Sequence, residues 1–473
     1  MDSISPTAQH SKKITQHWQR RLSASNQPAY LLIADLIAED IKSGRLAPKD
    51  KLPTLRVLSE RLKLDYTTVA RAYAEAKKRG LIDSRPGMGS FVRGTTPKFP
   101  LRGGSSAEMT MNLPPEPDHP TLLSRMHETS AALMSQANLH NLLRYQDFGG
   151  FPEDKEAAVL WLRQRLPECS PDRVLVCPGI HSALAALISQ LARPGETICV
   201  EALSYPGIKA IATQLGVQLY SLSLDDEGPS ANEFDLACKT VRPKALYCNP
   251  TLLNPTTLTI SKRRREALAD IALRYNIPII EDDAYAMLPS LQQPAMASLA
   301  PELTYYITGL SKFLGAGLRA AYVYAPSEKQ VQRLAGALRA TTVMSSPITN
   351  AIATQWIVSG IATDMLNAVR EESIARQQLA KKLLANFSYE APLECFHLWL
   401  TLPSGWSPAE FASTMRTRGV GVVSSAAFCT NDDPPDAVRI SLGGPQSRKE
   451  CEESLKLIAE ICRFPSHPDI TAI

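Results

Sequence analysis

Apolar residues recur at helical spacing from Ala29 to Lys42, at Tyr30, Ile33, Ala34, Ile37 and Ile41, and Gly44 follows where a helix C-cap would stand. A second set, Leu55, Leu58, Leu62 and Leu64, predicts a short helix from about Thr54. A third helix is predicted from near Thr67 through Val69, Ala70, Tyr73 and Ala76 to Gly80. Two short helices across a tight turn, then Leu81-Ile82 and a Gly-rich hairpin, describe an α+β winged helix-turn-helix over residues 25–94. Residues 1–24 have few apolar positions and read as a polar arm. Residues 95–118, with Pro97, Pro100, Gly103, Gly104, Ser105, Ser106 and three further prolines, read as a linker.

Beyond the linker the pattern changes. Short apolar runs at Val174–Cys177, Thr197–Val200, Ala245–Cys248 and Pro278–Glu281 alternate with helical segments, which predicts an α/β large domain over 119–360 built on a mostly parallel sheet. From about Ile361 a long charged helix leads to the strand-like segments Phe396–Leu402 and Ala437–Leu442. That shift marks a smaller α+β C-terminal lobe, residues 361–473.

Composition is that of an ordinary globular chain, with 44% hydrophobic and 21% charged residues over 473 positions. The formal charge of +4 hides an asymmetry: residues 1–100 carry 18 Lys and Arg against 9 Asp and Glu, and the remainder 33 against 38. A basic N-terminal region on a mildly acidic body implies that one end meets a polyanion. Nine cysteines without a C-x-x-C pair or zinc-ligand spacing read as small buried residues of a reducing compartment, with no metal site. The longest uncharged stretch, Val174–Ala192, is broken by Pro178-Gly179 and holds His181, Ser182 and Gln190, so no membrane span is expected. The first residues show no apolar signal core. A cytoplasmic protein is the expectation.

A recognition helix presents short polar residues at its N-terminus to phosphates or base edges, and Tyr66, Thr67 and Thr68 stand there. Arg56 and Arg71 add charge-assisted contacts to phosphate or guanine. Gly87 and Gly89 permit a tight wing turn after Arg85. The ordered set Leu52-Pro53-Thr54-Leu55-Arg56, Thr67-Thr68-Val69-Ala70-Arg71-Ala72-Tyr73 and Arg85-Pro86-Gly87-Met88-Gly89-Ser90-Phe91-Val92 resembles the GntR family of winged-helix regulators. The resemblance implies double-stranded DNA as partner. Asp65-Tyr66 replaces the family's Ser-Arg, so no operator sequence is carried over.

In the body, Gly309-Leu310-Ser311-Lys312 precedes Gly317-Leu318-Arg319, Asp282 leaves the end of a predicted strand in Asp282-Asp283-Ala284-Tyr285, and Asn254 stands in Asn254-Pro255-Thr256. A carboxylate at the C-terminal end of a parallel strand lies where α/β sites collect, whereas Glu281 and Asp283 read as structural. Gly179-Ile180-His181 opens a helix after Val174–Cys177, and helix N-termini bind phosphate through backbone N–H groups. Together these segments resemble fold-type I aminotransferases over most of the remaining chain. The resemblance implies pyridoxal 5′-phosphate (PLP) as cofactor, held as an aldimine on Lys312. It further implies Asp282 on the pyridine nitrogen, Tyr285 and Asn254 on the phenolate oxygen, and Tyr205 stacked on the ring. The phosphate would be met by Gly179, Ile180, His181, Ser311 and Arg319, and by Tyr145 from a neighbouring subunit, hence a homodimer. Arg439 matches the residue that grips a substrate α-carboxylate through a bidentate fork. Two positions depart from the family pattern: Gly309 stands where a Ser or Thr is usual, and Thr257 where Gly is usual.

A GntR-type head on an aminotransferase-like body resembles the MocR subfamily of regulators. That implies a PLP-dependent transcription regulator whose body senses PLP or a small amino compound. The completeness of the site keeps a second reading open, a working aminotransferase, or one with residual half-transamination, that carries a DNA-binding head. A pure PLP sensor is a third reading, and it gives Arg439 no task.

Overall fold

The computed structural model describes residues 15, 17–23, 27–43, 45–46, 50–85, 89–92, 108–136 and 139–463. The Gly44 cap, the Arg85 side chain, Gly87 and most of the proposed arm and linker lie outside the described residues. The chain divides into two compact units, Met1–Gly103 and Gly104–Ile473.

The first unit contains α1 (Ala29–Lys42), α2 (Leu55–Leu62), α3 (Tyr66–Lys78) and a hairpin of β1 (Ile82–Arg85) and β2 (Gly89–Val92). Thr54 caps α2, its hydroxyl accepting the Val57 N–H. The periodic residues predicted for α1 face inward: Ile33, Ala34 and Ile37 are fully buried with Leu58, Val69, Tyr73 and Ile82. One expectation is corrected. Residues 17–23, read as part of a polar arm, are helical, and Trp18 is fully buried in this core. Its indole N–H donates to the buried Asp40 carboxylate at 2.7 Å, which Arg45 also approaches at 2.7 Å. A buried carboxylate needs such partners, and they tie the segment to α1.

The second unit is built on a seven-stranded sheet of β3 (Val174–Cys177), β4 (Thr197–Glu201), β5 (Gln218–Leu222), β6 (Leu246–Cys248), β7 (Ile279–Asp282), β8 (Thr304–Gly309) and β9 (Ala321–Tyr324). The spatial order is β3-β9-β8-β7-β6-β4-β5, and only β9 runs antiparallel to its neighbours. Alternation places Val174 and Val176 in one apolar cluster, with Leu175 and Cys177 in another on the opposite face. Both faces are therefore covered by helices, as the run of apolar residues requires. After the long helix Ile361–Leu383, the strands Tyr389–Glu390, His397–Thr401, Val423–Ser424 and Ala437–Ser441 form an antiparallel sheet that builds the smaller lobe.

The second correction concerns the linker. Its described end, from Glu108, belongs to the body: Met109 is fully buried in the small-lobe core, and its carbonyl accepts the Ser441 N–H. All nine cysteines are free and buried. No helix among the described residues is long and apolar enough to cross a membrane.

Candidate functional site

The C-terminal ends of the parallel strands open onto a cavity of about 390 Å³. Ten residues singled out in the sequence line it: Ile180, His181, Tyr205, Asn254, Asp282, Tyr285, Ser311, Lys312, Arg319 and Arg439. Gly179 stands at its edge with φ +93°, and a Cβ there would fall 2.5 Å from the Arg319 guanidinium. The positive φ and that distance both favour glycine here, and the Arg319 guanidinium lies against the N-terminus of helix Ile180–Leu191, an arrangement that suits an anion. Tyr145 lies outside the cavity and is exposed.

Asp282 ends β7, buried, with one carboxylate oxygen accepting the Tyr247 hydroxyl at 2.9 Å and the other, Oδ1, without a partner. Burial is the main cause of its carboxyl rising to about 7, with Asp283 adding to the rise. A buried carboxylate with one oxygen left without a hydrogen bond is pushed toward its neutral form, and the Lys312 charge opposes that only in part. Lys312 follows β8 in a short 3-10 turn, half-buried, its amine lowered to about 8 by burial and by the charge of Arg439. Its Nζ donates to the Asn112 carbonyl at 2.7 Å. Arg439, on the strand Ala437–Ser441, is buried over the Phe428 ring, and burial lowers it to about 10. One of its terminal nitrogens donates to Asn254 Oδ1 at 3.0 Å and the other to the Thr110 carbonyl, while Nε has no partner.

Several residues of the site carried no signal in the sequence. Asn249 accepts the Asn254 N–H at 3.0 Å and donates to the Asp282 carbonyl at 2.5 Å, fixing those two elements against each other. Asn112 donates to Tyr285 Oη at 2.9 Å. His397 packs beside it, its imidazole lowered to about 3 chiefly by burial. Glu281 and Asp283 are structural as expected: Glu281 accepts the Met296 and Ala297 N–H groups, and Asp283 pairs with buried Arg165 at 3.1 Å. The departures have local causes or costs. A Cβ at Gly309 would press on Ile180 at 3.0 Å. Thr257 adopts φ +65°, the left-handed region in which the usual glycine is unstrained.

The residues fit PLP. The orphaned Asp282 oxygen suits a cationic ring nitrogen, Tyr205 offers a ring face, the Gly179–Arg319 corner suits a phosphate, and the depressed Lys312 amine suits a carbonyl carbon.

In the first unit, a groove is lined by Arg56, Tyr66, Lys77, Ser84, Gly89 and Ser90, so the start of α3, the start of α2 and the wing share one surface. Lys77 and Ser84 were not singled out in the sequence, and Ser90 was named only within the wing motif. Thr67 is exposed and Thr68 half-buried, and neither lines that groove, while Arg71 turns to stack over Tyr30 at 4.8 Å.

This architecture defines a fold-type I aminotransferase body carrying a winged-helix head. The model for bacterial regulatory proteins of the gntR family matches residues 29–92, and that for aminotransferase class I and II matches residues 116–458. The uncharacterized HTH-type transcriptional regulator YdeF of Bacillus subtilis is 30% identical over 450 residues, covering 94% of this chain and 96% of that one. The vitamin B6 salvage pathway transcriptional repressor PtsJ of Salmonella typhimurium is 27% identical over 413 residues, covering 87% and 93%. Among solved structures, an archaeal alanine:glyoxylate aminotransferase matches with TM-score 0.70 and 24% identity, over 76% of this chain and 91% of that one. The chain belongs to the HTH-type transcriptional regulators that join a GntR-family head to an aminotransferase class I and II body.

Proposed function

We propose that this protein is a PLP-dependent, DNA-binding transcription regulator of the MocR type, acting in the cytoplasm as a homodimer. Its body binds PLP through Lys312 and senses a small amino compound whose carboxylate meets Arg439. The observation that carries this reading is the gathering of Lys312, Asp282 and Arg439 around one cavity, in a chain whose head presents Arg56, Tyr66 and the wing on one groove. PLP supplies an electrophilic carbonyl carbon and an electron-withdrawing ring. The protein's own groups then have separable tasks. Lys312, depressed to about 8, has about a tenth of its amine neutral at pH 7, and Asp282, raised to about 7 by burial, is the carboxylate that a cationic ring nitrogen would hold in its charged form. Arg439 orients a carboxylate, Asn254 and Tyr285 meet the phenolate oxygen, and Arg319 with the Gly179 corner holds the phosphate. Exposed Tyr145, with exposed Leu143 nearby, supports a contact supplied to the neighbouring subunit's phosphate.

The test is binding to the promoter region adjoining its own gene, with and without PLP and candidate amino compounds. Salt-sensitive binding that changes with PLP or an amine is expected, together with a near-visible absorption band that Lys312→Ala removes. A PLP-treated wild type without that band would overturn PLP binding. A second reading, turnover as an aminotransferase, is favoured by the joint presence of Lys312, Asp282, Asn254, Tyr285 and Arg439 around the cavity. Multiple-turnover transamination at ordinary enzyme rates, without salt-sensitive DNA binding, would replace the regulator reading by this one.

A further inference from the structure

The segment Glu108–Pro114, where the chain enters the body, runs through the site just described. Its anchors alternate between the small lobe and the cavity. Met109 is buried in the small-lobe core, and its carbonyl accepts the Ser441 N–H at 3.1 Å. The Thr110 carbonyl accepts from Arg439, on the nitrogen next to the one that Asn254 holds. The Asn112 carbonyl accepts from Lys312 Nζ at 2.7 Å, and the Asn112 amide donates to Tyr285. The contact is close enough that a Cβ at Gly443 would sit 1.9 Å from the Leu113 carbonyl oxygen, and one at Gly444 1.5 Å from that of Glu108.

Two backbone carbonyls of this strap thus take the donors that a ligand needs. A carboxylate gripping Arg439 through a bidentate fork requires two of its nitrogens, and both terminal ones are engaged. The Asn112 carbonyl likewise holds the amine meant for the cofactor. We infer that residues 108–114 are an internal occupant of the effector site, displaced in two steps: cofactor binding takes Lys312 from Asn112, and an α-carboxylate takes Arg439 from Thr110. This rests on the reading of the body as a sensor of amino compounds. In sequence the strap leads back through residues 93–107 to the wing strand at Val92, so its release lengthens the tether of the head by seven residues, about 23 Å of reach. Site occupancy is thereby converted into freedom of the head, with no change in the head itself.

The test uses the full-length, PLP-loaded protein, titrated with each common L-amino acid and with ethylamine, which lacks a carboxylate. Absorption reports ligand binding, and hydrogen exchange of peptides spanning 108–114 and 437–442 reports the strap and the Ser441 N–H. An amino acid that shifts the absorption is expected to raise exchange in both peptides, and ethylamine is not. In Gly444→Ala, whose Cβ evicts the strap, exchange is expected to be high without ligand, and the affinity for that amino acid to rise about tenfold with ethylamine unaffected. Should melting show that this variant does not fold, Asn112→Ala, which cuts the Tyr285 anchor, is expected to raise exchange at 108–114. An absorption response to amino acids with unchanged exchange overturns the strap and leaves the PLP reading intact. A loaded protein deaf to every amino acid overturns both the strap and the amino-compound sensor, and absence of the absorption band overturns PLP binding itself.

Discussion

At the scale of single residues, the body's chemistry turns on Lys312. An ordinary lysine is neutral in about 1 molecule in 3,000 at pH 7, whereas one lowered to about 8 is neutral in about a tenth, a gain of roughly 300-fold in reactive amine. The rate of PLP uptake by apoprotein is therefore expected to climb about tenfold per pH unit below 8 and to level off above it, measured by stopped-flow absorbance. The neighbours set the direction of any shift. The charge of Arg439 lowers Lys312, so Arg439→Gln moves the midpoint up, while Asp282 raises it, so Asp282→Asn moves the midpoint down. Midpoints that move the other way would mean that these charges do not act on the amine. Lys312, Asp282 and Asn254 could be singled out in the sequence because each sits in a short motif, whereas Tyr205 and Arg439 were singled out through the family resemblance. Asn112, Asn249 and His397 were not, since their roles arise only when distant segments meet, over 173 positions between Asn112 and Tyr285. A lone Asn in a chain advertises neither partner.

At the scale of elements, legibility followed periodicity. Strands such as Val174–Cys177 and the helix Ile361–Leu383 emerged near their observed bounds because alternation and helical spacing are strong signals in long or buried runs. Tyr389–Glu390 and Val423–Ser424 have two residues each, too few to show a period. Both misread segments share a physical cause. Residues 17–23 hold one large aromatic in a polar stretch, and residues 108–117 hold three prolines; composition reports average polarity and stiffness, not whether one anchor finds a pocket. The head should accordingly depend on a residue that looked dispensable. Trp18→Ala empties a fully buried site and strips the indole N–H from Asp40, and is expected to cost the head about 3–5 kcal/mol. Removal of residues 1–24 should cost at least as much. Thermal melts of the full chain, followed by loss of DNA binding at rising temperature, measure both, and an unchanged head after either alteration would return the segment to the status of an arm.

At the scale of the whole molecule, the division at Gly103 and Gly104 into two compact units sets how ligands act on stability. Each unit has its own core, that of the head centred on Trp18, Ile33, Leu58 and Val69, that of the body split across the faces of the large sheet. Two such cores joined by a short sequence are expected to give two calorimetric transitions. A ligand that binds only a native unit stabilises that unit alone, by about 2.7 kcal/mol when it is present at a hundred times its Kd. PLP should therefore raise the body transition by a few degrees and leave the head transition in place, and Lys312→Ala should lose most of that rise. DNA from the adjoining promoter should do the reverse. The decisive quantity is the cross effect. If the body's ligand only frees or restrains the tether, an amino compound added with PLP moves the body transition again and still leaves the melting temperature of the DNA-free head unchanged, while DNA affinity changes. A head transition that follows the amino compound in the absence of DNA would instead place the coupling in the fold of the head itself, and tether length would no longer account for regulation.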